Sequence, residues 1–309
     1  MSYNEGSTLI SPKGDIYVIH ELVSRGGFSS VYTAHMHPNK SILYAIKVID
    51  KRRYIDKTPS ERRRKIFFDG LKREESISMM VDNPYILKTK EVIDNKLQWC
   101  CIMDYIEGGE LFEVLKTFGK LSTSQNILII TQLCEALKYL HEKKICHRDI
   151  KPENILCTMN EEPFDIKLCD FGLACDFSND VMDSPCGTAH YAAPEVMRNN
   201  GEYTHMCDMW SVGVLSFVLL TVSFPFDGKT QDEVKRNVMN NNIDWEIFYE
   251  REQCEEAYDF VSKLLVQNPE ERMTAEMCLD HPFLHLLDVG EDIEIPVELV
   301  SDMDFYAEL

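Results

Sequence analysis

Short apolar runs bounded by turn residues dominate the first hundred positions of the chain. Their residues alternate between apolar and polar types or remain apolar throughout, which is typical of β-strands. The four clearest runs occupy positions 16–23, 31–35, 43–49 and 97–103. Beyond position 110 the apolar residues recur at helical intervals instead. The pattern therefore predicts a strand-rich N-terminal part followed by a helix-rich C-terminal part.

Two later segments predict particular helices. The sequence Ser-Thr-Ser-Gln at 122–125 has the form of a capping box and predicts the start of a helix. The apolar residues of that helix are Ile129, Ile130, Leu133, Leu137 and Leu140. The longest largely apolar run, 212–222, is too short to cross a bilayer, so we expect a buried helix there. The first residues carry neither a basic run nor an apolar stretch, and we expect no secretory leader.

The balance of charges narrows the classes of partner. The 309 residues include 32 Lys and Arg against 52 Asp and Glu, which gives a formal net charge of −20. Such a chain repels phosphate backbones, so we expect no nucleic-acid partner, and without an apolar span we expect no membrane partner. The acidity favours a basic peptide or protein substrate, although plain solubility explains it equally well.

The cysteines indicate a reducing compartment. There are eleven of them, scattered, mostly beside apolar residues and without a CxxC pair, so we expect a protein of the cytoplasm or nucleus. Cys278, His281 and His285 lie close together in the sequence, but Pro282 separates them and a fourth ligand is lacking. We therefore expect no structural zinc.

Two stretches carry unusual charge. Ten basic residues fall between positions 51 and 73, and they are either a docking or nuclear-import patch or the solvated face of a loop and helix. Positions 288–309 hold eight acids and no base, interleaved with apolar residues. A packed tail and an intramolecular arm both remain open for that segment.

The first candidate for chemistry is a small-residue turn at 23–31, Val-Ser-Arg-Gly-Gly-Phe-Ser-Ser-Val. Such a hairpin lets backbone N–H groups approach phosphate oxygens, and Lys47, on the next predicted strand, can reach the same phosphates. Glycine pairs are also common in ordinary β-turns, so the turn alone does not identify a phosphate-binding site.

The second candidate is far more specific. His147-Arg148-Asp149-Ile150-Lys151-Pro152-Glu153-Asn154 is followed by Asp-Phe-Gly at 170–172 and Ala-Pro-Glu at 193–195. A hydroxyl that attacks a phosphoryl group needs a base to orient it, a cation near the transferred group and oxygen ligands for Mg²⁺. These segments supply all three.

With these motifs the chain resembles the eukaryotic protein kinases over residues 16–286. The resemblance implies an α+β, two-lobed fold. Its small N-lobe (16–103) has an antiparallel β-sheet with helix C, and a hinge (104–109) leads to a larger, mainly helical C-lobe (110–286). An N-terminal extension (1–15) and an acidic tail (287–309) would flank this domain.

The resemblance also implies roles for individual residues. Lys47 is similar to the lysine that holds the α- and β-phosphates, and Glu74 to its ion-pair partner, with Glu75 as an alternative by one register. Asp149 is similar to the catalytic base and Lys151 to the residue that steadies the γ-phosphate. The residues that resemble magnesium ligands are Asn154 and Asp170.

The implied cofactors are ATP and Mg²⁺. The backbone of Asp104 to Ile106 resembles the segment that bonds adenine, behind which Met103 would be the gatekeeper. Glu110 would reach the ribose. The residues that would surround the nucleotide are Val23, Gly26, Val31, Ala45, Lys47, Met103, Asp104, Ile106, Glu110 and Leu156.

Substrate class follows from the same resemblance. Lys151 and Thr188 resemble the serine/threonine version of the motifs. Glu110 and Glu153 resemble the acidic pair that recognises an arginine three residues before the acceptor. Val218 stands where a further acid would read a second arginine. We expect protein substrates that are basic around the acceptor, with an upstream kinase as a further candidate partner.

The chain resembles above all the calcium/calmodulin-dependent group, and within it the kinase domain of calcium-dependent protein kinases. The similar segments are Glu-Gly-Gly-Glu-Leu-Phe at 107–112, Lys-Pro-Glu-Asn at 151–154 and Asp-His-Pro-Phe at 280–283. No EF-hand loop is present, and the segment after position 283 is acidic, unlike a calmodulin target. We therefore expect no direct binding of calcium or calmodulin.

The chain departs from the family pattern at several positions. Ser24 and Ser29 replace glycines of the phosphate loop, and Ser78 replaces an apolar residue of the regulatory spine, whose packing keeps helix C inward. Ser184 is a candidate activation-loop phosphosite whose phosphate would pair with Arg148. The alternative function is a pseudokinase scaffold with weak or no phosphotransfer, which Ser24 favours. A small-molecule kinase is a third reading.

Overall fold

The computed structural model describes residues 3–183, 186–198, 201–252 and 254–289. The chain divides into two units, Met1–Glu107 and Gly108–Leu309. The candidate phosphosite Ser184 and nearly all of the acidic tail lie outside the described residues. In the described part no helix is both long enough and apolar enough to cross a membrane.

Within residues 3–107 one antiparallel sheet has the strand order β1-β2-β3-β4-β6-β5. Its strands are Thr8–Ile10 (β1), Ile16–Arg25 (β2), Ser29–Met36 (β3), Leu43–Asp50 (β4), Thr89–Asp94 (β5) and Gln98–Asp104 (β6). The four predicted runs form β2, β3, β4 and β6. Strand β5 escaped prediction because one of its inward positions is Glu91, which is buried and accepts a 2.5 Å hydrogen bond from the hydroxyl of Tyr17.

The two faces of this sheet have different surroundings. In antiparallel strands, residues directly opposite each other share a face. Val31 lies opposite Lys47, and Ala45 lies opposite Met103, so these four side chains lie on one face. The other face is packed into a core that includes Tyr17, Ile19, Tyr32, Ile46 and Ile102.

Two helices, Lys51–Lys57 (α1) and Glu61–Met80 (α2), connect β4 to β5. Asp50 caps α1 by accepting from the N–H groups of Arg52 and Arg53, and Ser60 caps α2 by accepting from the N–H of Arg63. The buried residues of α2 are Leu71, Glu74, Ile77 and Ser78, whereas most of the predicted basic stretch is exposed. This placement leaves both interpretations of that stretch open.

The second unit is mainly helical. Its helices are Leu111–Phe118 (α3), Thr123–Glu142 (α4), Pro194–Arg198 (α5), Met206–Thr221 (α6), Gln231–Asn240 (α7), Trp245–Arg251 (α8), Glu255–Leu264 (α9) and Ala275–Leu279 (α10). Two strand pairs join Ile145–Cys146 (β7) to Cys175–Asp176 (β10) and Ile155–Cys157 (β8) to Ile166–Leu168 (β9). Every residue of α6 is buried, as the apolar run predicted.

The start of α4 differs from the predicted capping box in one bond. Ser122 accepts a 3.1 Å hydrogen bond from the N–H of Gln125, as a cap should. The side chain of Gln125 does not return this bond. It is buried and donates to the carbonyl of Phe164 at 2.8 Å, while Glu162 accepts from the N–H of Ser122 at 3.0 Å. A contact with a distant residue, Glu162, therefore replaces one of the two hydrogen bonds of the capping box.

Candidate active site

The ion pair predicted in the N-terminal unit is present. Nζ of Lys47 lies 2.8 Å from Oε1 of Glu74, with side chains that are 18% and 8% exposed. Glu74 shares the buried face of α2 with Leu71 and Ile77, whereas Glu75 points away from that face by one helical step. The packing of the helix therefore selects Glu74 over Glu75 as the partner.

Three of the predicted nucleotide residues of this unit lie on the same face of the sheet as Lys47. Val31, Ala45 and Met103 share its face of the sheet. Val23 is half exposed on β2. The N–H of Asp104 donates to the carbonyl of Lys88 at 3.4 Å, and Ile106 follows two residues later, just before the boundary between the units.

The glycine turn closes the β2–β3 hairpin tightly. Gly26 donates its N–H to the carbonyl of Ser29 at 3.0 Å. A Cβ at position 26 would lie 2.9 Å from Oγ of Ser29, a hydroxyl that can rotate away. Ser24 stays within β2 and pairs with Val31, so this departure from the family pattern leaves the hairpin intact.

In the C-terminal unit a buried aspartate holds the loop that follows β7. Asp208 accepts the N–H of His147 at 2.9 Å and that of Arg148 at 2.8 Å, and His141 donates to it at 3.0 Å. Burial alone would raise the pKa of Asp208, but the hydrogen bond and positive charge of His141 and the N–H of His147 lower it to about 2. Asp208 is therefore a charged anchor for this loop, and it accommodates Arg148 at a positive φ of 67°.

Four of the predicted residues meet in one network, three of them on this loop and Thr188 in the segment before α5. Nζ of Lys151 lies 3.1 Å from Oδ2 of Asp149 and donates to Oγ1 of Thr188 at 2.7 Å. Thr188 donates to Oδ1 of Asp149 at 3.2 Å, and Nδ2 of Asn154 donates to Oδ2 of Asp149 at 2.8 Å. Both oxygens of Asp149 are therefore oriented by its neighbours.

The predicted magnesium ligands fit the chemistry of that ion. Asn154 uses its amide nitrogen on Asp149, which leaves its oxygen as the group able to bind a cation. Asp170 has a positive φ of 62° and accepts the N–H of Gly172 at 3.1 Å. The N–H of Cys169 donates to the carbonyl of Asn154 at 2.9 Å, which ties the two segments together. Carboxylate and amide oxygens are the ligands that Mg²⁺ prefers.

The two glutamates expected to read a basic substrate influence each other. Burial raises the pKa of Glu110, and the negative charges of Glu153 and Glu113 raise it further, against a smaller opposite effect of Lys151. Glu110 precedes α3 and forms an isolated β-bridge with Leu156. A cation placed between Glu110 and Glu153 would relieve their repulsion.

Two arginines have partners that the sequence indicated only in part. Arg272 forms a two-pronged pair with Glu195, the last residue of the Ala-Pro-Glu segment, at 2.9 and 3.2 Å. Arg148 donates to the carbonyl of Leu173 at 2.6 Å and to the hydroxyl of Tyr203 at 3.2 Å. The contact with Tyr203 was not predicted, because that tyrosine belongs to no recognisable motif.

One further group of potential metal ligands appears only in three dimensions. Among the described residues, Cys146, Cys207 and Asp208 bring ligand atoms within 4.8 Å of one another. The carboxylate already accepts the three hydrogen bonds that anchor the loop, so we assign this group to packing. His281 belongs to the Cys-His-His group considered above as a zinc site. Its Nε2 lies 3.0 Å from Oδ2 of Asp259.

Comparison with known proteins agrees with this geometry. The sequence profile of the family described as "Protein kinase domain" matches residues 17–284. Myosin light chain kinase A of Dictyostelium discoideum is 36% identical over 270 residues, which cover 87% of this chain and 88% of that protein. Calcium-dependent protein kinase 5 of Plasmodium falciparum is 33% identical over 269 residues, which cover 86% of this chain but only 45% of that protein.

A solved structure agrees as well. The crystal structure of Rad53 1–466 in complex with AMP-PNP superimposes with a TM-score of 0.72 at 32% identity, over 87% of this chain and 65% of that one. The predicted fold class, an antiparallel sheet with helix C followed by a mainly helical part, is thereby confirmed. So is the resemblance to the calcium/calmodulin-dependent group.

Proposed function

The chain belongs to the protein kinase family and is a serine/threonine protein kinase, and from this premise we propose that it uses ATP and Mg²⁺ to phosphorylate serine or threonine in basic protein segments. The observation that carries the proposal is the network in which Lys151, Thr188 and Asn154 orient both carboxylate oxygens of Asp149. A base held in this way is ready to receive a substrate hydroxyl.

Each residue of the network has a distinct task. Asp149 orients the acceptor hydroxyl and takes up its proton as the oxygen attacks. ATP would supply the phosphoryl group and leave as ADP, and Mg²⁺, when bound, would offset the negative charge of the phosphates. Lys151 places a positive charge beside Asp149, where negative charge builds up during transfer. Asn154 and Asp170 would hold the metal ion.

Lys47 and Glu74 have a supporting task in the other unit. The 2.8 Å ion pair fixes the position of the lysine head group on its face of the sheet. A lysine held there is available to the α- and β-phosphates of the nucleotide. Without Glu74 the ammonium would lose its fixed position and phosphate binding would weaken.

The preference for basic substrates rests on Glu110 and Glu153. Burial and, after it, the negative charge of Glu153 raise the pKa of Glu110, and a guanidinium that bonds to both carboxylates would relieve their repulsion. We propose arginine three residues before the acceptor as the occupant. No calcium requirement is expected, and the eleven free cysteines suit a cytoplasmic or nuclear protein.

The test is phosphate incorporation from Mg-ATP into a serine/threonine peptide library with arginine or alanine fixed three residues before the acceptor. Wild type should label the arginine library more strongly, equally with and without calcium. Asp149→Asn should lose labelling on the order of a thousandfold while its melting temperature stays close to wild type. Absence of labelling by wild type with any peptide would overturn the proposal in favour of a binding scaffold.

A further inference from the structure

Four aromatic side chains of the N-terminal unit form a continuous stack. The ring of Phe28, at the turn between β2 and β3, meets Tyr54 of α1 edge to face, with centroids 4.9 Å apart. Tyr54 lies flat on Phe67 of α2, with centroids 3.6 Å apart, and Phe67 meets Phe68 at 5.5 Å. We call Phe28, Tyr54, Phe67 and Phe68 the aromatic stack.

The inner end of the aromatic stack is part of the core. Phe67 and Phe68 pack against a buried cluster made of Ile49, Leu71, Trp99 and Cys101. Met103, on the same face as Lys47, packs against this cluster too. The stack therefore runs from the core beneath α2 out to the tip of the hairpin.

The outer end is the part of the hairpin that has the least intrinsic order. Gly26 and Gly27 precede Phe28, and Ser29 follows it. Glycine has the largest conformational freedom of any residue, so the position of this tip depends on what Phe28 contacts. Besides Tyr54, Lys57 lies over its ring at 5.9 Å, and the N–H of Asp50 donates to its carbonyl at 3.3 Å.

We propose that Tyr54 is a positioning residue that holds the tip of the β2–β3 hairpin in the conformation that receives the phosphates of the nucleotide. The inference rests on the proposed function, because it assumes that ATP is the ligand of this hairpin. It also assigns a role to part of the basic stretch at 51–73. There the ring of Tyr54 packs inward, while the charged residues beside it face solvent.

The physical reason is preorganisation. A hairpin tip with two glycines loses conformational entropy when its backbone N–H groups close around phosphates. The stack already restricts the tip before nucleotide arrives, so less entropy is lost on binding. Because α2 carries both Phe67 and Glu74, the same helix positions the hairpin tip and the partner of Lys47.

The experiment compares Tyr54→Ala, Tyr54→Phe, Phe28→Ala and the double variant Phe28→Ala/Tyr54→Ala. The measured quantities are KM for ATP, KM for peptide, kcat and the dissociation constant of a fluorescent ATP analogue. Tyr54→Ala should raise KM for ATP and the dissociation constant on the order of three- to tenfold, with smaller changes in kcat and in KM for peptide. Tyr54→Phe should behave as wild type, because the hydroxyl makes only a 3.5 Å contact with the carbonyl of Arg63.

The double variant and a control separate positioning from general loss of stability. Phe28→Ala/Tyr54→Ala should be no worse than Tyr54→Ala, since both changes break the same contact. Tyr249→Ala removes an aromatic from another surface stack, with Tyr258 at 5.0 Å, and should leave KM for ATP unchanged.

Equal KM for ATP in active wild type and Tyr54→Ala would overturn the inference while the proposed function stood. The inference would also fail if the two single effects added fully, or if Tyr249→Ala had the same effect as Tyr54→Ala. An inactive wild type that does not bind the ATP analogue would instead refute the proposed function.

Discussion

Lys151 donates a 2.7 Å hydrogen bond to Thr188, 37 positions further along the chain. The hydroxyl of Thr188 in turn donates a hydrogen bond to Asp149 at 3.2 Å. The loop after β7 and the segment before α5 are thus joined through one hydroxyl group. Under the proposed function, a peptide bound near Thr188 would act through this group on the orientation of the Asp149 carboxylate.

We expect Thr188→Ala to lower kcat by roughly 10- to 100-fold, because Asp149 and Lys151 lose the group that fixes their relative position. Thr188→Ser keeps the hydroxyl and should stay within about threefold of wild type. Steady-state kinetics with saturating ATP and peptide would measure both. Wild-type kcat in Thr188→Ala would show that the network does not depend on the threonine.

Substrate selection should depend on pH through Glu110. Its raised pKa means that it takes up a proton at a higher pH than an ordinary glutamate does, and the neutral form no longer attracts arginine. The preference for arginine over alanine three residues before the acceptor should therefore decline as the pH falls from neutral. Glu110→Gln should show a low preference, on the order of tenfold weaker, at every pH. A pH-independent preference in wild type would contradict this assignment.

The stability of the C-terminal unit should fall on acidification because of His205. Burial and the neighbouring His141 lower the pKa of His205 to about 4 from an ordinary 6.5. Between these values the unfolded chain binds the proton more readily, so the stabilising effect present above pH 6.5 is lost as the pH falls towards 4. His205→Phe should keep the ring stack with Phe177, at 4.6 Å, and flatten the decline of melting temperature in that window.

Phe177→Leu is the control for this experiment, because it weakens the stack without removing the titrating group. Its melting temperature should lie below wild type by a similar amount at every pH. If the melting temperature of His205→Phe declined with pH as steeply as that of wild type, the acid sensitivity would belong to other groups. His35 and His281 also have lowered pKa values.

Removing only one partner of the Arg272–Glu195 ion pair should lower the free energy of unfolding. Arg272 is 2% exposed, and its removal leaves the carboxylate of Glu195 in the interior without its partner. We expect Arg272→Met to reduce the free energy of unfolding by about 3–5 kcal/mol. In Glu195→Gln/Arg272→Met the loss should be smaller than the sum of the single losses. Urea denaturation measures all three, and additive losses would mean that the two residues do not stabilise each other.

Several parts of the fold and site could be read directly from neighbouring residues. Strands β2, β3, β4 and β6 were predicted because they alternate in the way a half-buried sheet requires. Asp149, Lys151 and Asn154 stand on one short segment, and their spacing already places them together. Asp170 follows at a fixed distance, so the chemistry proposed for the loop needed no knowledge of the fold.

Other features depended on contacts between distant segments. The burial of Glu91 in β5 depends on Tyr17, 74 positions away, and the side chain of Gln125 left its local motif for a carbonyl 39 positions away. The choice of Glu74 over Glu75 depends on which face of α2 packs against the sheet. Local pattern could not reveal the first two contacts, and it named Glu74 while leaving Glu75 open as the alternative.

The sequence by itself determined the class of protein and predicted its catalytic groups, because the residues at 147–154 and 170–172 form short segments whose spacing is chemically specific. Only the tertiary structure decided which carboxylate pairs with Lys47, that Thr188 joins Lys151 to Asp149, and that Tyr54 meets Phe28. The physical reason is that each of these contacts is made by side chains whose separation along the chain carries no periodic signal. They are brought together by packing, through the burial of apolar faces and the pairing of buried polar groups.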